Sequence, residues 1–244
     1  MSKNSTYFFI GKLEPFEECK DFNPGELSLG DGWTLDINLD LICIWKSGVV
    51  DPFDKINPFI KELFSLIIAL FIFRSKILLK FRLTNWIEAK EIESVKNLIG
   101  VYVSRYSQPR RNARINVTWK KCAHIFSKFQ HHQLFRLALK DCVTSLQEEG
   151  DDSFFYAYRA LENTCRAITG AKTDITKQHW EQMHKKVGTC KTLIDPLTAA
   201  ALDIRHGNIS GTGLENARKN RKQVLGISRN VLATAFKKYF RGYL

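Results

Sequence analysis

Cysteine is scarce and scattered in this sequence. Its 244 residues include six cysteines, and no two of them form a CxxC pair. So few thiols exclude a disulfide-built scaffold, and the absence of paired thiols excludes the usual zinc-binding spacing. We therefore expect a reduced, cytoplasmic protein.

Long hydrophobic runs are missing as well. The longest uncharged run, residues 63–73, lies between Glu62 and Arg74, whereas a membrane-spanning helix needs about 20 apolar residues. The apolar quartet at residues 7–10 is too short for the core of a signal peptide. We predict that residues 63–73 form a buried helix and that the protein does not span a membrane; an interfacial helix is the alternative.

Motifs for known cofactors and nucleophiles are absent too. The sequence contains no P-loop, no GxGxxG and no GxSxG, which are the usual signatures of phosphate-binding loops, dinucleotide sites and serine hydrolases. His131 and His132 stand side by side, and Cys122 lies near His124, but neither pair has a second cluster of ligands at a suitable spacing. The sequence predicts no cofactor and no metal site.

Positive charge is present in excess and is unevenly distributed. The formal net charge is +12, residues 1–54 contribute −6 and residues 55–244 contribute +18. Residues 94–140 contain no acidic residue, and residues 205–244 contain nine basic residues and one acidic residue. Such clustering favours RNA or another polyanion as the partner, or an acidic partner protein. A solvated helical surface, partly neutralised by the acidic N-terminal region, is the alternative.

The N-terminal part of the sequence has the patterns of a small mixed domain. Residues 7–13 and 76–86 are typical of strands, and residues 33–45 alternate apolar and polar side chains as a single strand with one solvated face. Asp54 and Pro58 suit the first turn of a helix that runs to about residue 73.

The rest of the sequence has helical periodicity. We predict an α+β protein with an N-terminal α+β domain (1–100), a linker (101–118) and a C-terminal helical bundle (119–244). The predicted bundle helices cover residues 119–146, 154–168 up to Gly170, 174 or 176 to about 193, 195–204 with Pro196 at the first helical position, and 214–240.

A polar cluster lies on the helix predicted at residues 154–168. Tyr158, Glu162 and Arg166 follow one another at a spacing of four, and Arg159 is three residues before Glu162. Residues at these spacings are neighbours on a helix, so Glu162 can pair with Arg159 or Arg166 and orient a guanidinium group. An ordinary surface ion pair is the alternative.

A second cluster lies at the end of the helix predicted at residues 195–204. Residues 199–201 are three alanines, which allow close approach to a neighbouring helix, and Arg205-His206-Gly207 follow. Gly207 suits the left-handed position after a helix end, where the helix dipole favours a protonated His206. A histidine beside an arginine suits general acid–base chemistry on a phosphodiester. A simple helix cap is the alternative.

The YRALE segment (residues 158–162), the later RHG segment and the order of the helices resemble the HEPN superfamily of bacterial and phage-defence proteins. The resemblance covers residues 120–244 and extends more weakly to residues 7–13 and 51–60. It implies a helical bundle, a homodimer and metal-independent cleavage of single-stranded RNA in anti-phage defence or as a toxin.

On that resemblance, Arg205, His206, Arg159 and Glu162 are the catalytic candidates. The RNA-binding candidates are Tyr158, Arg166, Asn208, Arg218 and Lys219. In the usual family motif four to six residues separate an arginine from the histidine that follows it, whereas alanines occupy the corresponding positions, 199–201, here. Adjacent helical residues point about 100° apart, so Arg205 does not replace that arginine directly. A catalytically inactive module that dimerises and binds nucleic acid or a partner protein through its basic face is therefore the second hypothesis.

Overall fold

The computed structural model describes residues 5–15, 19, 22, 24–38, 40–49, 53–89 and 113–240. It confirms the α+β class, because an antiparallel sheet with a helix precedes an all-helical region. The chain forms two compact units, residues 1–128 and residues 129–244. Each unit is described by itself below.

The first unit contains a five-stranded antiparallel sheet in the order β2-β3-β4-β1-β5. One face of the sheet is apolar because alternate residues of each strand point to the same side, and Phe9, Leu35 and Ile44 on that face have no exposed surface. The strand bounds are Ser5–Glu14 (β1), Leu27–Gly30 (β2), Trp33–Asn38 (β3), Leu41–Val49 (β4) and Lys80–Ala89 (β5).

The alternating run at residues 33–45 is a hairpin, so the prediction of a single strand is wrong. Strands β3 and β4 pair Ile37 with Ile42 and Leu35 with Ile44. Side chains directly opposite each other share a face, so the buried positions change from odd to even numbers across the turn. Leu41, which is in phase with the apolar residues Leu35 and Ile37 in the sequence, is only half-buried.

A long helix, α1 (Phe53–Ser75), covers the apolar face of the sheet. Phe64 of α1 stacks on Phe81 of β5 with ring centroids 4.4 Å apart. Gly11 makes this contact possible, because a Cβ at this position would overlap the Phe81 ring. Within the described residues, this helix alone has the length and apolar character of a membrane span, and 67% of its most apolar window is buried in the fold.

The predicted linker, residues 101–118, falls largely outside the described residues, and its last six residues belong to helix α2 (Ala113–Phe129). Helix α2 belongs to the first unit up to Lys128. Trp119 of α2 is fully buried and stacks on Phe71 of α1 at 4.0 Å between ring centroids. Helix α2 therefore packs against α1 through this aromatic contact.

The second unit contains six helices in its described residues. Their apolar faces meet in one core, as amphipathic helices require, and the buried aromatic residues include Phe135, Phe154 and Phe236. The bounds are Gln133–Gln147 (α3), Asp152–Thr169 (α4), Lys177–Val187 (α5), Lys191–Arg205 (α6), Thr212–Lys219 (α7) and Arg221–Tyr239 (α8).

Several predicted helix boundaries in this unit are wrong. The run predicted at residues 119–146 is divided between α2 and α3 by a turn, and the final run is divided between α7 and α8 at Asn220. Helix α5 ends at Gly188, whose φ is +78°, a left-handed conformation that glycine adopts without strain. Pro196 lies inside α6, which already begins at Lys191. The predicted end of α4 at Gly170 is confirmed, with a φ of +74°.

Candidate functional site

Helix α4 presents polar side chains on its solvent side, at two edges. Tyr158 and Glu162 lie four residues apart at one edge, and Arg159 and Asn163 lie four residues apart at the other. The opposite face is buried in the core through Ala157, Leu161, Thr164 and other residues. The two polar edges therefore face different neighbouring helices.

Arg205, at the end of α6, contacts the first edge. Its guanidinium lies 3.9 Å from the Glu162 carboxylate and 6.0 Å from the centre of the Tyr158 ring. The Arg205 side chain is 48% exposed and that of Glu162 is 22% exposed. Burial, with a smaller contribution from Glu162, raises the pKa of Tyr158. Arg205 is therefore oriented on one side and open to solvent on the other. We use the name Arg205 corner for a group of four residues: Arg205, Glu162, Tyr158 and Trp180 of helix α5.

Trp180 of α5 extends this group with a second aromatic ring. Its ring centre lies 6.2 Å from that of Tyr158, with an angle of 32° between the planes, and 6.4 Å from that of His184. Both aromatic residues are half-buried. His184 Nδ1 is 2.9 Å from Thr189 Oγ1, and burial lowers the pKa of His184. Three rings thus form a partly exposed row beside Arg205.

His206 follows Arg205 directly and caps α6 through its backbone N–H, which donates to the carbonyl of Leu202. The predicted left-handed Gly207 is confirmed, with a φ of +68°. The imidazole of His206 is exposed and has no hydrogen-bond or ion-pair partner in the part of the chain that the structure describes. This exposed side chain directly follows Arg205 in the sequence.

Arg159 is held away from the Arg205 corner. Its guanidinium donates to Asp141 Oδ1 of helix α3 at 2.7 Å, and Asn163 donates to Asp141 Oδ2 at 3.0 Å. The Asp141 side chain is only 8% exposed. Burial raises the pKa of Asp141, and the bonds from Arg159 and Asn163 oppose that shift. The expected pairing of Glu162 with Arg159 or Arg166 is therefore wrong, since Glu162 pairs with Arg205.

The remaining predicted site residues are dispersed. Arg218 makes a bidentate ion pair with Asp151, with contacts of 3.1 and 2.6 Å, and Lys219 is exposed at the end of α7. Asn208 is exposed and donates to Asp203 at 3.3 Å. The Nε of Arg166 is buried and has no hydrogen-bond partner among the described residues. Of the nine candidates, the structure thus brings Arg205, Glu162 and Tyr158 together, with His206 next in the chain.

Sequence reasoning missed three residues of this region. Trp180 and His184 are four residues apart, and this spacing could have predicted that their rings are neighbours on one helix. Asp141 carried no local signal, because its partner Arg159 is 18 residues away on another helix. Within the described ranges, no group of three or more His, Cys, Asp or Glu side chains is arranged to hold a metal ion.

Residues 122–240 match the model of a family described as the C-terminal domain of a domain of unknown function, DUF8168. The match includes all six helices of the second unit. No curated protein and no solved structure matches the chain. The comparisons therefore show a similarity to this family over the helical region and supply no activity for it.

Proposed function

We propose that the helical unit binds RNA through the Arg205 corner. The observation that carries the proposal is the combination of an oriented, half-exposed guanidinium with a pair of partly exposed aromatic rings. Proteins that bind single-stranded nucleic acids use this combination, because cations contact phosphates while bases stack on aromatic side chains. The proposal corresponds to the non-catalytic hypothesis drawn from the sequence.

The charge of the unit supports this function. Residues 129–244 contain 18 Lys and Arg against 11 Asp and Glu. Three of the carboxylates, those of Asp141, Asp151 and Glu162, are each within 4 Å of an arginine. The unit therefore keeps an excess of exposed cations, which include Lys185, Lys191, Lys219 and Lys222. Such an excess favours polyanions through the release of counterions.

Arginine suits this position better than lysine would. The guanidinium lies 3.9 Å from the Glu162 carboxylate and 6.0 Å from the centre of the Tyr158 ring, and both groups favour this position of Arg205 before a ligand arrives. A restricted side chain loses less conformational entropy on binding a phosphate. The exposed half of the guanidinium remains available for that contact.

Metal-independent cleavage of RNA is the second candidate function, and one observation favours it. The exposed imidazole of His206 has no partner among the described residues and follows the oriented Arg205. A histidine of this kind can transfer a proton while the arginine stabilises negative charge on the phosphate. In a homodimer, a second copy would supply another Arg205 and His206, as the HEPN resemblance predicts.

Fluorescence anisotropy with labelled RNA tests the binding function. We expect a single-stranded 20-mer to bind more tightly than the matching duplex, and we expect Arg205→Gln and Trp180→Ala each to weaken binding by about 5–20-fold, the range expected for losing one phosphate contact or one stacked base. Arg218→Gln is the matched control, because Arg218 is 41% exposed and already bidentately bound by Asp151. Its loss should change the affinity less than about 3-fold.

Cleavage is tested on the same RNA in the presence of EDTA. Cleavage that is lost in His206→Ala, while this variant still binds RNA, would support the second function. Full cleavage by both His206→Ala and Arg205→Ala would contradict it. Binding that is equal in wild type, Arg205→Gln and Trp180→Ala would contradict the proposed binding site itself.

A further inference from the structure

The first unit contains a cavity that the proposed RNA-binding function does not use. Its volume is about 510 Å³, and it opens between the start of α1 and the strands β3 and β4. This volume lies within the range of about 300–1,000 Å³ that is typical of small-molecule sites. Its walls consist of two aromatic residues, two lysines, Ile56 and the chain at Gly48 and Val49.

The aromatic wall is formed by Trp33 and Phe59. Their ring centroids are 5.7 Å apart, and the planes are tilted by 43°. Trp33 is almost fully buried, whereas Phe59 is 46% exposed although it belongs to the helix that covers the sheet. A ligand that covered the exposed ring of Phe59 would remove apolar surface from water, which is favourable.

Two ammonium groups line the same cavity. Lys46 Nζ lies 5.5 Å from the centre of the Trp33 ring, and Lys55 is exposed in the first turn of α1. In the described part of the chain, neither lysine forms an ion pair with a carboxylate. The first turn of the 23-residue helix α1, which contains Lys55, also contains Asp54, an acidic residue of the kind that the helix dipole favours there. The cavity therefore combines an aromatic wall with two ammonium groups.

We propose that this cavity binds a nucleoside phosphate, with the base against the exposed ring of Phe59 and the phosphate at Lys46 and Lys55. A ligand that was only apolar would leave the two ammonium groups without a charged partner among the described residues, and inorganic phosphate would leave the aromatic wall exposed. A base joined to a phosphate satisfies both sets of groups, and the volume accommodates a mononucleotide. The site lies in the first unit, so this inference is independent of RNA binding by the helical unit.

Isothermal titration calorimetry with AMP, ADP, adenosine and ribose 5-phosphate tests the assignment on the full chain. We expect AMP or ADP to bind at one site per chain with a Kd below about 1 mM, and adenosine and ribose 5-phosphate to bind at least about 10-fold more weakly, because each lacks one of the two contacts. Phe59→Ala, Lys46→Gln and Lys55→Gln should each weaken the binding of AMP by about 5–10-fold.

Lys61→Gln is the matched control, since Lys61 is an exposed lysine of α1 on the side of the helix away from Lys55 and Phe59. This variant should bind AMP within about 2-fold of wild type. Far-UV circular dichroism and urea denaturation establish that each variant remains folded. The assignment is overturned if neither AMP nor ADP saturates the protein, if ribose 5-phosphate binds as tightly as AMP, or if the three cavity variants bind like Lys61→Gln. Binding of a 5′-phosphorylated trinucleotide in place of mononucleotides would also overturn it.

Discussion

Replacing Arg159 by methionine tests whether this arginine stabilises the fold through Asp141. In the folded protein the Asp141 carboxylate, 8% exposed, accepts one hydrogen bond from Arg159 at 2.7 Å and one from Asn163 at 3.0 Å. Methionine retains much of the apolar stem of arginine and removes the charge and the donors. The variant therefore leaves a buried carboxylate with Asn163 as its one side-chain donor among the described residues.

The expected loss follows from these contacts. A hydrogen bond to a charged group contributes about 1.5–3 kcal/mol, and an uncompensated buried charge costs more. Arg159 itself is 41% exposed, so solvent screens part of the interaction. We expect Arg159→Met to lower the free energy of unfolding by about 1.5–2.5 kcal/mol at pH 7.

The pH dependence of this loss has a definite sign. Burial raises the pKa of Asp141 above its ordinary value of 3.8, so the folded state binds a proton more readily than the unfolded state. A raised carboxyl pKa makes a contribution to stability that is present below pH 3.8 and is lost as the pH rises through the folded pKa. Removing Arg159 raises that pKa further. The deficit of the variant should therefore be largest at pH 7 and should shrink as the pH falls towards 4.

Urea denaturation followed by circular dichroism at pH 4.5 and pH 7 measures both quantities. Arg218→Met is the control, because it removes an exposed arginine from a carboxylate in the same unit. The double variant Asp141→Asn/Arg159→Met should be less destabilised than the sum of the single variants. A loss below about 0.5 kcal/mol at pH 7, or an equal loss at both pH values, would refute the reasoning.

Three further predictions concern packing and thiol reactivity. Trp119→Ala should lower the free energy of unfolding by about 3–5 kcal/mol, because Trp119 is fully buried against Phe71; a urea titration measures the loss, and less than about 1 kcal/mol would contradict the packing. Gly211→Ala should lower the melting temperature, because the added Cβ would overlap the Asp203 carboxylate, which accepts a hydrogen bond from the backbone of helix α7; an unchanged melting temperature would contradict this close approach. Cys190 should be the one thiol that reacts rapidly with an aromatic disulfide reagent in the native protein, since it is exposed and the other five cysteines are buried. Cys190→Ser should then remove the rapid phase, and its persistence in that variant would show that a buried thiol is accessible.

Local signals explain which parts of the fold were predictable. The prediction that α4 ends at Gly170 was correct because this glycine stops an amphipathic run, and both features lie within a few residues. The prediction of helix α1 was also correct, because its apolar run is long and is bounded by charged residues. The hairpin at residues 33–49 was missed because alternation continues through a turn that contains no glycine.

The candidate site was less predictable because its contacts join distant helices. Arg205 contacts Glu162, which is 43 residues earlier in the chain, and the spacing on a single helix suggested Arg159 and Arg166 instead. Asp141 decides the role of Arg159, and nothing in the residues around Asp141 marks it as a partner. Helical periodicity assigns a residue to a face, whereas the neighbour on that face depends on how the helices pack.

Photo-crosslinking tests the central claim most directly. The full chain is bound to a single-stranded RNA that contains 4-thiouridine, irradiated and digested, and the crosslinked peptides are identified by mass spectrometry. RNA binding at the Arg205 corner predicts crosslinks in peptides that contain Tyr158, Trp180 or His206, and it predicts that Trp180→Ala and Arg205→Gln reduce them. Crosslinks confined to residues outside 129–244, or undiminished in both variants, would contradict the account.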